Sequence, residues 1–481
     1  MLALVALMAA SCSPGDSTPS DAEAPTSETA AATGDTEAPT SDGDTEAPTS
    51  PTEAAAGDTD APTSDTSAPT TEPPPSKPEL TSEPVQLKIL MESGGGAFDL
   101  LEILGEEFSR QHPNVTFEYQ KDSFQNLLIN GPRALASDDP PDVVLMPQLV
   151  DPAKDGLIYS LDDYFEQFGW EVFSASQLAQ NRVNEQGVRG SGALYGVGAG
   201  YSITGVMYNK ELAAQIGMDT TPATLDEFEA LMAKAKANGI LPIISNNPAT
   251  FAHQAIFNQY VDPKEIFDFV FLAPGATIDT SEAIAAAERL EQWAQEGYFN
   301  EDVNSLGYFD LMTGFVEGEG LFMFNGSWAA AELDERMPGN AGFFAVPPLV
   351  AGDPPVAMGA SGTIVIPAKS SNPDVAAYFF DWIHTNQAAR QFVADVTGMA
   401  PGGPPGLPLP ETESGTLVER MQEQAAYLAA EGVIVDYLAN ATSGFFTNSL
   451  IPEVQRLVGG QTNPTDFIRA LQEGYEASLT R

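Results

Sequence analysis

The sequence predicts an α/β protein with more than one domain. Its 481 residues exceed the roughly 250 to 300 that one hydrophobic core can organise. Segments rich in β-branched residues alternate with segments of helical periodicity, which is the pattern of βαβ units and a parallel sheet. Helix start and stop signals separate these segments at several points. We therefore expect at least two domains, with enough elements for two sheets.

The first elements follow each other as strand, helix and strand. Residues 85–91 (VQLKILM) have strand composition, and a glycine-rich turn, ESGGGA, follows at 92–97. Residues 98–111 place apolar side chains at close to the helical period, and 115–119 alternate as a strand does. Residues 142–146 (DVVLM) repeat the strand signal after the turn DDPP. This order predicts a parallel sheet at the start of the folded region.

The clearest helix lies at residues 222–238. Thr224 is its predicted N-cap, Glu227 completes a capping box and Gly239 supplies the stop. Further strands are predicted at 241–245, 321–324 and 363–367, and further helices at 281–295, 373–396 and 461–478, the last with Thr465 as its cap.

The charge is strongly acidic and unevenly distributed. Asp and Glu number 68 against 20 Lys and Arg, a net charge of -48. Nucleic acid is excluded as a partner, because a polyanion is held by Lys and Arg that neutralise its phosphates. Residues 13–84 contain 16 acids and one base, Lys77, and so carry -15 of this charge. The remaining -33 belongs to the folded part, where it favours solubility.

The N-terminus has the features of a lipoprotein signal. Residues 1–10 (MLALVALMAA) are too few to span a membrane, which takes roughly 20 residues, but fit the apolar region of a signal peptide. Cys12, the one cysteine, follows Ala9, Ala10 and Ser11. This arrangement resembles a bacterial lipobox and implies a lipid on Cys12. No basic residue precedes Lys77, so we expect the true start to lie upstream.

Residues 13–84 are predicted to be a disordered acidic tether. They consist mostly of Ala, Pro, Thr, Ser, Glu, Asp and Gly, a composition that cannot bury enough surface to fold. GDTEAPTS occurs at 34–41 and 43–50, and GDTDAPTS at 57–64. A flexible coil of this length reaches roughly 45 to 50 Å, which suits a domain held away from a membrane. An O-glycosylated stalk is the alternative, and it would also hold the domain away from a membrane.

Signals for catalysis and metal binding are weak. His112, His253 and His384 are far apart and lack metal-ligand spacing. The chain contains neither a phosphate-binding G-x-x-x-x-G-K-[ST] loop nor a G-x-S-x-G elbow. The glycines at 94–96 lack the third position of a dinucleotide turn. We expect no metal, no cofactor and no enzyme activity.

Several blocks, taken in order, resemble the family 1 extracellular solute-binding proteins of ABC importers. They are YGV at 195–197, MYNKEL at 207–212, IG at 216–217, PATLDEF at 222–228 and GFVEGEGLFMFNGSW at 314–328. Residues 361–380 and 441–475 are similar to two later blocks. Leu225 stands where the family often has tryptophan, and Gly198 where proline is common.

The resemblance implies a two-lobed, periplasmic-binding-protein-like fold, each lobe a sheet flanked by helices, with a hinge of crossing strands. The first lobe is expected at 85–200 plus 352–400, and the second at 201–351 plus 401–481. A carbohydrate would bind between the lobes, and the closed form would deliver it to an ABC permease. The expected protein is a monomer at the cell surface or in the periplasm, held to a bacterial membrane by its lipid.

The resemblance also suggests ligand-binding residues. Trp328 of the Asn-Gly-x-Trp motif matches a cleft tryptophan of the family, and Phe445 or Phe446 would supply a second stacking ring. Polar side chains would meet sugar hydroxyls, because buried hydroxyls need partners. The candidates follow strands or lie at the predicted crossovers: Glu92, Ser93, Gly94, Gln148, Tyr201, Ser202, Asn246, Asn247 and Ser361.

Two other functions stay open from the sequence. The acidic folded part is compatible with a cationic ligand, so a polyamine, an osmolyte or a metal complex could replace the sugar in the same fold. A tethered surface hydrolase is the third alternative, disfavoured because no nucleophile or metal motif is recognisable.

Overall fold

Two sheets of different topology organise the folded region. The computed structural model describes residues 77–93, 96–173, 175–246, 249–442 and 444–479. The predicted signal peptide and Cys12, most of the tether, Gly94 and Asn247 lie outside the described residues. The strands of the described part are β1 Val85–Glu92, β2 Val115–Asp122, β3 Val143–Leu145, β4 Arg182–Val183, β5 Ala193–Leu194, β6 Val197–Tyr201, β7 Thr204–Asn209, β8 Phe322–Gly326, β9 Ala341–Phe344, β10 Val356–Met358, β11 Ser361–Val365 and β12 Val433–Val435.

Helices surround both sheets. The first nine are α1 Leu100–Gln111, α2 Phe124–Ala136, α3 Val150–Lys154, α4 Asp162–Phe168, α5 Ala175–Ala179, α6 Lys210–Gln215, α7 Leu225–Ala237, α8 Thr250–Tyr260 and α9 Pro263–Val270. The others are α10 Ser281–Gln295, α11 Tyr308–Glu317, α12 Ala330–Arg336, α13 Pro373–Thr385, α14 Gln387–Thr397, α15 Leu417–Glu431, α16 Ile451–Val458 and α17 Pro464–Leu479. None of them, within the described part of the chain, has the length and apolar character needed to cross a membrane.

The first lobe is built on a five-stranded mixed sheet in the order β2-β1-β3-β11-β6. Strand β1 pairs in parallel with β2 and β3, whereas β11 runs antiparallel to β3 and β6. Helices α1 and α13 pack on this sheet through a shared core that includes Leu104, Phe108 and Phe379. Because β1, β2 and β3 are parallel, their carboxyl ends share one edge, where open α/β sheets bind ligands.

The second lobe is built on the antiparallel sheet β8-β7-β9. Its largest core joins this sheet to α7, α8, α10 and α17 and includes Phe228, Trp293 and Tyr475. The predicted α/β fold with sheets flanked by helices is confirmed.

The chain crosses between the sheets beside the first lobe's β6 and β11. Strand β6 ends at Tyr201 and β7 begins at Thr204 in the other sheet. The return crossing lies at Gly359 and Ala360, and the Ser202 backbone N–H donates to Ala360 O at 3.0 Å. Strand β10 precedes this crossing and pairs with β12, so the chain returns several residues after the predicted boundary at 352.

Local signals fixed the start and end of α7. The Thr224 hydroxyl accepts from the Glu227 backbone N–H at 3.2 Å, and the Glu227 carboxylate accepts from the Ala223 N–H at 2.8 Å. Gly239 follows the helix with φ +75°, a left-handed conformation that favours glycine. The predicted cap and stop are confirmed.

Three predicted elements need correction. The helix at 373–396 is two helices, because the Asn386 side chain caps α14 by accepting from the backbone N–H groups of Ala388 and Ala389. The strand at 241–245 is reduced to bridges at Ile243. Helix α17 begins at Pro464, and Asn463 rather than Thr465 accepts from the Asp466 N–H, at 3.0 Å.

Residues 77–84 lie on the first lobe. The Asn114 amide donates to Thr81 O at 2.8 Å and to Glu83 O at 3.0 Å, and Leu80 packs on the lobe's core. Lys77 forms an ion pair with the buried carboxylate of Asp381 on α13. Residues 77–83, assigned to the tether from the sequence, therefore contact the first lobe.

Candidate ligand-binding cleft

The carboxyl edge of the first sheet contributes a buried acid to the cleft. Glu92 is the last residue of β1, and its side chain is partly buried. Burial raises the pKa of its carboxyl from 4.5 to about 7, because a charge is costly away from water. No ion pair among the described residues involves Glu92. Ser93, beside it, is exposed, and its N–H donates to Asp122 O at 2.8 Å.

The Asn-Gly-x-Trp motif lies at the end of β8 in the second lobe. Strand β8 ends at Gly326, and a 3-10 turn, Ser327–Ala329, carries the partly buried Trp328. The indole lies directly against Gly326, where any Cβ would overlap with it. Asn325 is buried, and its side-chain oxygen accepts from the Gly326 N–H at 2.9 Å. The motif therefore sets the orientation of the tryptophan.

Tyr308, the first residue of α11, connects the two lobes. Its ring packs edge-on against Phe98 of the first lobe, with centroids 5.6 Å apart. Burial raises the pKa of the Tyr308 hydroxyl, and the charges of Glu332 and Glu92 act in the same direction, whereas interactions with Asn325 and Trp328 act against it. Two of the predicted residues, Glu92 of the first lobe and Trp328 of the second, therefore both act on this hydroxyl.

Further aromatic rings extend from Trp328 toward the hinge. Trp328 and Phe251 have ring centroids 5.8 Å apart, and Phe251 and Tyr437 are 6.2 Å apart. The Tyr437 hydroxyl lies 3.2 Å from the Ser202 hydroxyl, which donates to Ala360 O at 3.0 Å. The predicted residues Trp328 and Ser202 are therefore joined by two aromatic side chains.

Gln148 reaches across from the first lobe. Its side-chain amide donates to Ala439 O at 3.2 Å and Thr442 O at 3.1 Å, both in the second lobe. Nearby, Phe124 of α2 contacts Phe446 with centroids 6.5 Å apart. Gln148 and Phe446 thus lie where the lobes meet.

Other predicted residues are engaged in packing or in the hinge. Phe445 is buried in the second lobe's core, 5.5 Å from the ring of Phe269. The Ser361 hydroxyl lies 2.8 Å from that of Thr363. The Tyr201 ring lies against Gly198 and Gly402, and Asn246 is buried with its backbone oxygen accepting from Ala249 N–H at 2.7 Å.

Sequence reasoning did not assign four aromatic residues of the cleft: Phe98, Phe251, Tyr308 and Tyr437. Phe98 lies in the 3-10 turn that leads into α1, and Phe251 and Tyr308 lie in the first turns of α8 and α11. Each of these three residues lies at or just before the start of a helix that follows a strand or loop at the ligand edge. This position in the sequence is the signal that could have indicated them. The pairing of Phe98 with Tyr308 depends on how the lobes face each other.

A family comparison identifies the chain. The sequence profile of the bacterial extracellular solute-binding proteins matches residues 99–390, more than half of the chain. The protein is a bacterial extracellular solute-binding protein. The match runs from the start of α1 into the first turn of α14 and includes Trp328, Tyr308 and the two crossings near Ser202 and Ala360. No sequence among the curated proteins matches it.

Solved structures of other proteins have the same fold. A chitin oligosaccharide binding protein is 20% identical with a TM-score of 0.70, covering 83% of this chain and 100% of its own. RafE in complex with raffinose is 20% identical with a TM-score of 0.65, covering 82% and 99%. The GacH receptor of Streptomyces glaucescens, solved unliganded and with acarbose, is 18% identical with a TM-score of 0.65, covering 84% and 99%. This solute-binding protein therefore has the two-lobed fold of that class.

Proposed function

We propose that this solute-binding protein binds a carbohydrate between its two lobes and delivers it to the membrane subunits of an ABC importer. The observation that carries the proposal is the partly buried indole of Trp328, flanked by Phe251 and close to the Tyr308 hydroxyl. An aromatic face of this kind buries the apolar face of a pyranose ring. The sugars in the names of the similar structures support the same ligand class.

Polar groups around the aromatic rings suit sugar hydroxyls. Glu92 and the hydroxyls of Tyr308, Ser202 and Tyr437 come from both lobes and from the crossing. A carboxyl and a hydroxyl can each accept hydrogen bonds, and hydroxyls also donate. Ligand hydroxyls bound by groups of both lobes would favour closure, since each bond needs the lobes together. We infer binding without turnover.

A cationic ligand is the second candidate, favoured by Glu92. Its carboxyl has no ion-pair partner among the described residues, and its charge acts on the Tyr308 hydroxyl. A carboxylate together with aromatic rings also suits an amine or quaternary ammonium. A thermal-shift screen over oligosaccharides, polyamines and osmolytes separates the two, because a ligand that binds only the native state raises the melting temperature. Stabilisation by cations alone would replace the sugar proposal.

The site is tested by truncating Trp328. Trp328→Ala should weaken binding of the sugar found in the screen by about 1.5 to 3 kcal/mol, ten- to a hundredfold, because the stacking surface is lost. Isothermal titration calorimetry measures the change. Tyr427→Ala, at an exposed aromatic residue of α15, is the matched control and should bind as the parent does. Equal affinity of the Trp328 variant and the parent would remove the indole from the site. Labelled oligosaccharides recovered intact after incubation would support binding without turnover.

We also propose that a lipid on Cys12 anchors the protein to a bacterial membrane, at the cell surface or in the periplasm, with the acidic repeats as a spacer. The support is the apolar run followed by small residues and a lone cysteine, together with the extracellular family. Intact mass of the membrane-extracted protein should show acylation of Cys12 and none in Cys12→Ser. An unmodified cysteine would exclude the anchor.

A further inference from the structure

The chain crosses between the lobes a third time, after α14. Helix α14 packs in the first-lobe core and ends at Thr397, and residues 398–416 lead to α15, which packs in a second-lobe core. The Tyr201 N–H at the end of β6 donates to Ala400 O at 2.9 Å, and the Ala400 N–H donates to Tyr201 O at 3.0 Å. The start of this segment, residues 398–403 (the third crossing), therefore lies beside the first crossing.

The turn that carries Trp328 is bonded to the first crossing. Ser327, the first residue of the turn, is 1% exposed. Its backbone N–H donates to Ile203 O at 2.9 Å, and its side-chain oxygen accepts from the Ile203 N–H at 3.3 Å. Ile203 lies between β6 and β7, where the chain changes sheets. Two hydrogen bonds therefore fix the base of the Trp328 turn to the first crossing.

The third crossing lies against the same turn at Gly398. A Cβ at this position would lie 2.8 Å from Ser327 O and 2.8 Å from the Ala330 Cβ, well inside the roughly 3.5 to 4.0 Å of a van der Waals contact. Ser327 O belongs to the backbone, so no rotamer change relieves the overlap. The Gly398 φ of +70° also favours glycine. The close approach therefore requires glycine, and a side chain at position 398 would separate the turn from the crossing.

Helix α15 connects the third crossing to the helix that follows the Trp328 turn. The Gln422 amide of α15 donates to the carbonyl oxygens of the first two residues of the third crossing, at 2.8 Å each. The Asp334 carboxylate of α12 accepts from the first two backbone N–H groups of α15, at 2.7 and 2.9 Å. Helix α12 begins directly after the turn. The third crossing, α15, α12 and the Trp328 turn therefore form a continuous set of contacts.

We propose that the third crossing positions Trp328, with Gly398 as the positioning residue that lets the crossing lie against Ser327. The Ser327 carbonyl belongs to the planar peptide unit that joins Ser327 to Trp328. Displacement of this oxygen therefore tilts the unit that carries the indole. The expected effect on sugar affinity rests on the proposed function, whereas the position of the indole does not depend on a ligand.

Fluorine NMR of the full chain, labelled with fluorinated tryptophan, measures the surroundings of the indole without a ligand. The chain has four tryptophans, and Trp328→Phe identifies the Trp328 resonance by its disappearance. Gly398→Ala should shift this resonance, whereas the resonance of Trp293, which is 0% exposed in the second-lobe core, should keep its position. Gly239→Ala is the matched control, because φ is +75° at this position after α7 and an added Cβ meets no atom within 4 Å. It should leave the Trp328 resonance in place.

Isothermal titration calorimetry connects the position of the indole to binding. Gly398→Ala should weaken binding of the sugar found in the screen roughly tenfold, the lower end of the loss expected for Trp328→Ala, because a displaced indole keeps part of its stacking surface. In a Trp328→Ala background, Gly398→Ala should weaken binding much less, since its effect acts through the indole. Gly239→Ala should bind as the parent does.

The results distinguish this inference from the proposed function. An unshifted Trp328 resonance in folded Gly398→Ala would overturn the positioning role, as would equal losses of affinity from Gly398→Ala with and without Trp328. A parent that binds no sugar would refute the proposed function, and the NMR comparison would still decide the inference. If Gly398→Ala does not fold, Gln422→Ala decides through the same resonance, because it removes two hydrogen bonds to the third crossing. A shift would then support the positioning role, and an unshifted resonance would overturn it.

Discussion

Loss of the Lys77 ammonium should destabilise the first lobe, although Lys77 lies outside both sheets. Asp381 is 2% exposed on α13, and its carboxylate accepts from Trp170 Nε1 at 3.1 Å and Thr385 Oγ1 at 3.3 Å. Lys77 is the one cation paired with it among the described residues, and its ammonium lies 5.8 Å from the Phe168 ring centroid. Lys77→Met leaves a buried carboxylate with neutral donors alone.

The expected loss in the free energy of unfolding depends on how deeply Lys77 and Asp381 are buried. Removing one member of a fully buried pair costs about 3 to 5 kcal/mol, but Lys77 is 51% exposed, and solvent screens such a partner. The two remaining donors also hold part of the charge. We therefore expect Lys77→Met to lower the free energy of unfolding by about 1 to 2 kcal/mol.

Urea unfolding of the full chain tests this value through a double-mutant cycle. Asp381→Asn removes the charge that needs Lys77, so Lys77→Met should cost much less in that background. Lys264→Met, which breaks an exposed pair with Asp268 on α9, is the matched control and should leave the unfolding midpoint unchanged. Equal midpoints for the parent and Lys77→Met, or equal effects of Lys77→Met in both backgrounds, would refute the reasoning.

Burial shifts the pKa of two titratable groups so that the free energy of unfolding should depend on pH in opposite directions. Burial lowers the pKa of His253 from 6.5 to about 4, so the unfolded chain takes the proton first and stability falls as pH drops from 6.5 toward 4, by up to about 3 kcal/mol. His253→Leu should flatten this slope, and a slope equal to the parent's in urea unfolding would contradict the assignment. Burial raises the pKa of Glu92 from 4.5 to about 7, so the folded chain keeps the proton and stability falls as pH rises through this window, again by up to about 3 kcal/mol. Glu92→Gln should remove that fall, and retention of it in the variant would show that another group is responsible.

Much of the fold could be predicted because its signals are local. The α7 cap at Thr224 and stop at Gly239 depend on residues within one or two helical turns, and so does the strand composition of β1. The same reasoning failed where a local competitor was overlooked: Asn386 caps a new helix inside an apolar run, and Asn463 precedes the proline that begins α17. The Ile243 segment had strand composition but pairs only at bridges, because pairing depends on distant partners.

The residues of the candidate site also divide into those that the local sequence indicated and those that it did not. The Asn-Gly-x-Trp motif indicated Trp328, and the end of a predicted strand indicated Glu92, since each is marked by its own neighbours in sequence. Phe98 and Tyr308 contact each other although 210 residues separate positions 98 and 308 in the sequence. No local sequence pattern predicts such a contact. Phe445 and Phe446 are adjacent in sequence and both lie in the second-lobe core, yet the Phe446 ring also contacts Phe124 of the opposite lobe.

The sequence by itself determined most of the elements, the family resemblance and the acidic segment that precedes the lobes, because composition, periodicity and caps act over a few residues. Only the tertiary structure decided which side chains face each other across the cleft, that Lys77 neutralises Asp381, and that Gly398 lies against Ser327. The physical reason is that burial and pairing depend on distances between segments far apart in the chain. Those distances also decide whether a charge is exposed to water or buried among apolar groups.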